Sequence, residues 1–155
     1  MCRLLSLRFL EMSSKTSKPA IKFYFHEVSF GLPARREIKD LIRLLFKREG
    51  RKLSSLSYIF CTDEYLLAIN RSYLNHDTYT DIITFELSPD PNITEGEIYI
   101  SVDRVRENAR NFSEPFIKEL RRVIIHGALH LCGHHDHSEK EKRKMRSLED
   151  KYLAL

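Results

Sequence analysis

The segment VIIHGALHLCGHHDHSE, Val123 to Glu139, constrains this chain more than any other. It holds five of the seven histidines in 155 residues. VIIHGALHL is apolar on nearly every side, which predicts the second half of a central helix running from Glu114 to about Cys132. Four residues on a helix turn through about 400°, so His126 and His130 point within about 40° of each other, one turn apart. That spacing lets two imidazoles bind one ion within a dry apolar shell. The plain alternative is a buried pair satisfied by hydrogen bonds. On an unbroken helix, a third ligand ten residues on would lie about 15 Å along the axis, out of reach. The chain must therefore turn back. Gly133 stands where a left-handed residue ends a helix, and the HHDH that follows offers further donors.

The rest of the chain supplies a frame for that helix. IKFYFHEV (Ile21–Val28) and LSSLSYIFC (Leu53–Cys61) read as strands, as do IITFEL (Ile82–Leu87) and EIYIS (Glu97–Ser101). Between the first two, Ile38, Leu41, Ile42 and Leu45 recur at helical spacing, with Pro33 in the first turn and Gly50 at the stop. Thr62 caps a second helix whose buried stripe is Leu66, Ile69 and Tyr73. VDRVRENARNF is a third helix, and Ser113 is expected to cap the central one. Ser138 and Glu141 match a capping box opening a last helix, to Ala154. NHDTYTD and SPDPNITEG read as loops. The order β-α-β-α-β-β-α-α-α predicts one α+β domain, a mixed sheet of about four strands packed with helices.

Composition narrows the classes. The hydrophobic share is 42%, with five Gly and five Pro, as in ordinary globular proteins. No apolar run approaches a membrane span, so no membrane partner is expected. Cys2, Cys61 and Cys132 lie far apart, which argues against a disulfide framework and for a reducing, cytoplasmic setting. The net charge of +4 is uneven: residues 1–52 carry 13 Lys/Arg against 5 Asp/Glu, and residues 53–113 carry 4 against 10. Such a basic first third can steer a protein toward RNA, although solvated helix faces read the same way. Residues 1–20 are expected to be a disordered extension, with Met12 a possible true start, and residues 21–155 the domain.

HGALHLCGHHDH resembles the signature of the YbeY family, single-domain bacterial endoribonucleases and ribosome-maturation factors also described as metal-dependent hydrolases. NRSYLNHDTYTDIITFEL resembles that family's segment around T-D-V-L-S-F-P, and EGEIYISVDRVRENA its L-G-D-I-x-I strand and following helix. The resemblance implies one zinc ion, or another divalent transition metal, held by His126, His130 and a third ligand ten residues after the first. Two departures matter. The family ends G-Y-D-H where this chain has Gly133-His134-His135-Asp136-His137, so an ungapped count puts Asp136 third and a one-residue insertion puts His137 there. A carboxylate is a competent zinc ligand, and Asp136 is the first expectation, His137 the alternative. The family also places an arginine directly after the tyrosine of N-x-x-Y, where this chain has Leu74. Arg71, three residues earlier on the same predicted helix, is the stand-in, so His126 and Arg71 are the candidate catalytic residues.

Zinc with an open position lowers the pKa of a coordinated water toward 7, which licenses hydrolysis without choosing the bond. Peptidases of this spacing read H-E-x-x-H with the glutamate as base, and Gly127 stands in its place. RNA asks for less, because its own 2′-hydroxyl can attack. The resemblance therefore implies a zinc-dependent, single-strand-specific endoribonuclease. It would act late in rRNA maturation, at the 16S 3′ end, and in ribosome quality control, with rRNA and the small ribosomal subunit as partners. A ribosome-assembly RNA-binding factor with a mainly structural metal is the alternative, and a zinc peptidase a weaker one. Lys47, Arg48, Arg51 and Lys52, and separately Lys142, Arg143, Lys144 and Arg146, are candidate phosphate contacts. Asp81 is expected either to orient a ligand histidine or to cap its strand.

Overall fold

Alternation builds the sheet. In the computed structural model, which describes residues 17–155, Leu56, Tyr58 and Phe60 of one strand and Ile98 and Ile100 of its neighbour face the same core. The strands are β1 (Ala20–Phe25), β2 (Lys52–Cys61), β3 (Ile82–Glu86) and β4 (Ile93–Ser101), in the order β1-β2-β4-β3. β1, β2 and β4 run parallel, and β3 is an antiparallel edge strand, pairing Ile82 with Ile100 and Phe85 with Glu97. The helices are α1 (Arg35–Arg48), α2 (Asp63–Leu74), α3 (Val102–Asn111), α4 (Phe116–Leu131) and α5 (Glu139–Leu153). One main core joins the sheet to α1, α4 and α5, while Leu66 and Ile69 of α2 close the other face over Cys61 and Ile83. This is the expected single α+β domain with a four-stranded mixed sheet.

The central helix packs unusually close to the sheet. A Cβ on Gly127 would stand 2.7 Å from Ile82 Cδ1 and 2.9 Å from Ile98 Cγ2. A Cβ on Gly96 would stand 2.7 Å from Leu131 Cδ1. Glycine at both places lets α4 press on β3 and β4. The hydroxyl of buried Tyr58 donates to the Ile124 carbonyl at 3.0 Å, fixing the height of α4 on the sheet. Val123, Ile124, Ile125, Ala128 and Leu129 are all buried, each aliphatic side chain larger than alanine contributing about 1.5–3 kcal/mol.

Local signals were read correctly at Thr62, whose side chain accepts from Tyr65 N, and at the capping box of Ser138 and Glu141. Four details differ. Pro33 lies outside α1, which is preceded by Ala34 in the left-handed region. Ser113 does not cap α4. Its own left-handed backbone (φ 53°) closes α3, with Ser113 N bonded to Arg110 O and Glu114 N to Ala109 O, and Pro115 precedes α4 without a side-chain cap. Tyr73 is 72% exposed; Leu67 and Asn70 are buried on α2 instead. Finally, β4 begins at Ile93, inside the segment SPDPNITEG that reads as a loop, because Ile93 and Thr94 pair with Lys52 and Leu53 of β2. The expected disordered extension and the start at Met12 fall mostly on residues 1–16, outside the described residues.

Candidate metal centre

The end of α4 returns the chain on itself. Cys132 closes the helix, Gly133 takes φ 94°, Gly133 N bonds to His130 O at 2.9 Å, and His134 N bonds to Leu129 O at 3.1 Å. These are the two backbone bonds of a glycine-closed helix end. The reversal brings Asp136 back over the last two turns of α4. Its Oδ2 lies 3.6 Å from His126 Nε2 and 3.7 Å from His130 Nε2. One donor atom from each of His126, His130 and Asp136 falls within 4.8 Å of the others, the one such group among the described residues. His137 is exposed and lies outside that group, its ring stacked on His135 at 5.8 Å between centroids.

Hydrogen bonds on the far side of each imidazole fix which nitrogen carries the proton. His126 Nδ1 lies 2.7 Å from Glu149 Oε1, and His130 Nδ1 lies 2.9 Å from the His134 carbonyl. A carbonyl only accepts, as does an ionised carboxylate, so both Nδ1 atoms donate. Both Nε2 atoms then present lone pairs, and they face each other at 2.9 Å with a carboxylate oxygen alongside. Three acceptors converging on one point repel unless a cation or a shared proton lies between them. Two imidazoles and a carboxylate, each imidazole held by an outer hydrogen bond, are a donor set that suits zinc.

Charge behind the site reinforces this. Burial opposes a charge on His126, but the hydrogen bond and charge of Glu149, with Asp81 and Asp136, outweigh it and hold the imidazole pKa above its usual value. Burial and then the neighbouring His126 push His130 the other way. Glu149 is itself buried and is held by Arg122 at 3.2 Å and Arg146 at 3.5 Å. Arg122 also reaches Asp150 at 2.7 Å. Glu149 thus accepts the hydrogen bond from His126, while Asp81 contributes charge.

A cleft of about 390 Å³ opens beside His130. Its walls include Asn70 and Leu74 of α2 and His76, Thr78 and Thr80 of the following loop. Arg71 is not among the lining residues. It forms an exposed ion pair with Asp77 at 2.5 Å, and Leu74, 42% exposed, faces the cleft. On the other side of His126, Asp81, Glu119, Arg122, Arg146 and Glu149 wall a smaller hollow of about 200 Å³. Cys132 is half-buried against the core, and burial raises its thiol to about 12.

Sequence reasoning missed Glu149. The signal was present: on α5 it falls between Met145 and Tyr152, both buried, at the i, i+4, i+7 spacing of an apolar stripe. An acid on such a stripe asks for a buried partner.

The family model described as Endoribonuclease YbeY matches residues 26–155. An endoribonuclease YbeY of Flavobacterium psychrophilum is 45% identical over 130 residues, 84% of this chain and 92% of that protein. One from Cytophaga hutchinsonii is 45% identical over 135 residues, 87% and 94% of the two chains. One from Porphyromonas gingivalis is 44% identical, covering 87% and 89%. A solution structure of a Thermotoga maritima protein, 30% identical, superposes with a TM-score of 0.58 over 84% of this chain and 86% of that one. The family match runs through the glycine reversal and its histidines to the end of α5, and on that ground the chain belongs to the endoribonuclease YbeY family.

Proposed function

We propose that this chain is a zinc-dependent, single-strand-specific endoribonuclease. It acts in the cytoplasm in late rRNA maturation, at the 16S 3′ end, and in ribosome quality control, with the small ribosomal subunit as its partner. The observation that carries the reading is the convergence of His126, His130 and Asp136, with both Nε2 lone pairs kept free by Glu149 and the His134 carbonyl. Membership of the family directs that chemistry to RNA.

The three donors would hold the metal, with His126 as both ligand and catalytic residue. Bound zinc supplies the positive charge that polarises a phosphoryl oxygen and makes a nucleophile available at neutral pH. The protein's share is binding and orientation. Thr78, Thr80 and His76 line the cleft beside His130, where a phosphate would lie. Tyr79, over which Arg104 stacks at 4.8 Å to the ring centroid, adds an aromatic ring to that wall for an unpaired base. Arg71, two turns along α2 from Asp63, would serve phosphate only by leaving Asp77. The exposed lysines and arginines at the end of α1 and along α5 make RNA affinity strongly salt-dependent. Product ends separate the two routes: a 2′,3′-cyclic phosphate means attack by the RNA's own 2′-hydroxyl, and a 5′-phosphate means attack by water.

Peptide hydrolysis is the poorer reading for a spatial reason. The position of the peptidase glutamate is Gly127, where even a Cβ would meet Ile82 and Ile98. An assembly factor with a structural metal draws support from Leu74, an apolar residue on the cleft wall. The test is cleavage of a structured rRNA fragment by the wild-type protein, the chelated protein and His126→Ala. Cleavage lost in both treated samples supports the endoribonuclease. Uncut rRNA with salt-sensitive binding supports the assembly factor, and digestion of casein the peptidase.

A further inference from the structure

We infer that Glu49, at the end of α1, is a positioning residue for the metal centre, acting through His134 on the loop that carries Asp136 and on the ring of His130. This rests on the metal-centre reading above. Glu49 uses both carboxylate oxygens: Oε2 meets His134 Nε2 at 2.7 Å, and Oε1 accepts from the Tyr152 hydroxyl at 2.6 Å. The Glu49 and His134 side chains are 15% and 17% exposed, so the bond is shielded from competing water.

His134 is committed at its amide, its carbonyl and its Nε2. Its amide donates to Leu129 O at 3.1 Å, its carbonyl accepts from His130 Nδ1 at 2.9 Å, and its ring is held by Glu49. The carbonyl sets the His130 tautomer, and Asp136 follows two residues later. A loop with a positive-φ glycine at its root has few other restraints on its direction, since His135 and His137 are exposed. Fixing the His134 ring therefore fixes both a ligand's tautomer and the approach of the third donor. The resemblance drawn from G-Y-D-H puts a tyrosine at the position of His134, whose ring here reaches Glu49. α5 meets this network at two places: Glu149 bonds His126 directly, and the hydroxyl of Tyr152, three residues on, takes the Glu49 oxygen that faces away from His134.

The test is affinity of the full-length protein for Zn2+, measured by competition with a chromophoric chelator, with the visible spectrum of the Co2+ form as a second readout. Glu49→Ala is expected to weaken binding about 10–100-fold and shift the Co2+ bands, with partial recovery in Glu49→Gln. His134→Phe, which keeps the ring's bulk without its nitrogens, is expected to do the same and replaces Glu49→Ala if that variant does not fold. Tyr152→Phe removes the other bond to the same carboxylate; it is expected to lower Tm while leaving Zn2+ affinity within about threefold. Unchanged affinity in Glu49→Ala and His134→Phe overturns the inference alone, as does an equal loss in Tyr152→Phe, which would mark a general stability effect. A wild-type protein that binds neither Zn2+ nor Co2+ overturns the metal centre and the inference together.

Discussion

Glu149 Oε1 lies 2.7 Å from His126 Nδ1, so the last helix of the chain decides which nitrogen of a histidine on α4 is free. Removing that carboxylate is expected to act twice. Glu149→Gln should reduce Zn2+ affinity about 10–100-fold, because the amide holds the ring less firmly and lowers its basicity. Glu149→Ala should in addition cost roughly 3 kcal/mol of stability, the low end for breaking a buried pair, because Asp150 still reaches Arg122. Chelator competition and urea denaturation of the metal-free protein separate the two effects.

Asp136 and His137 make opposite predictions. Asp136→Ala is expected to lose stoichiometric metal, and His137→Ala to keep it, since the His137 side chain is exposed and stacked on His135. Asp136→His, which places the family's residue at this position, should retain metal. Elemental analysis of protein purified without chelator reads all three.

Gly127 is a packing requirement of α4. Gly127→Ala gains about 1 kcal/mol of helix propensity but overpacks Ile82 and Ile98 at a cost of about 1–3 kcal/mol. A net loss of about 1 kcal/mol is expected by urea denaturation. Gly127→Glu restores the peptidase pattern in sequence yet has no room for its side chain. It is expected to yield unfolded or aggregated protein with no activity on casein.

Proton competition at the histidine pair gives a pH dependence. The pKa of His126 is raised in the folded, metal-free protein, so its contribution to stability is full below about 6.5 and fades as pH rises through the raised value. His130 is shifted down, so its contribution is present above about 6.5 and lost as pH falls through its own lower value. Proton and metal compete for the same Nε2 atoms. Zn2+ affinity is expected to climb as pH rises from 6 to 8, with protons released on binding, measured by calorimetry in buffers of different ionisation heat.

Much of this arrangement was legible before any coordinates. The spacing of His126 and His130 and the glycine two residues beyond the helix follow from helix geometry alone, and the structure brings Asp136 to them. The parallel core strands announced themselves by alternation at Tyr58, Phe60, Ile98 and Ile100. What stayed hidden depends on contacts distant in sequence. Glu149 bonds a residue 23 positions away, and Glu49 bonds residues 85 and 103 positions away. The stripe of Met145 and Tyr152 marks Glu149 as buried, but no local period names the partner of either glutamate. The start of β4 stayed hidden for the same reason: Ile93 and Thr94 are strand because they pair with Lys52 and Leu53, about 40 residues away. Arg71 was placed on α2 correctly, but the rotation that turns it to Asp77 instead of the cleft depends on how α2 packs over Cys61 and Ile83.

X-ray absorption at the zinc edge, on protein purified without chelator, tests the centre most directly. The account predicts one zinc per chain, surrounded by imidazole nitrogens and carboxylate or water oxygen at about 2.0–2.1 Å, with two histidines in the fit. A zinc-free protein, or a sulfur shell near 2.3 Å that brings Cys132 into the coordination sphere, would contradict it.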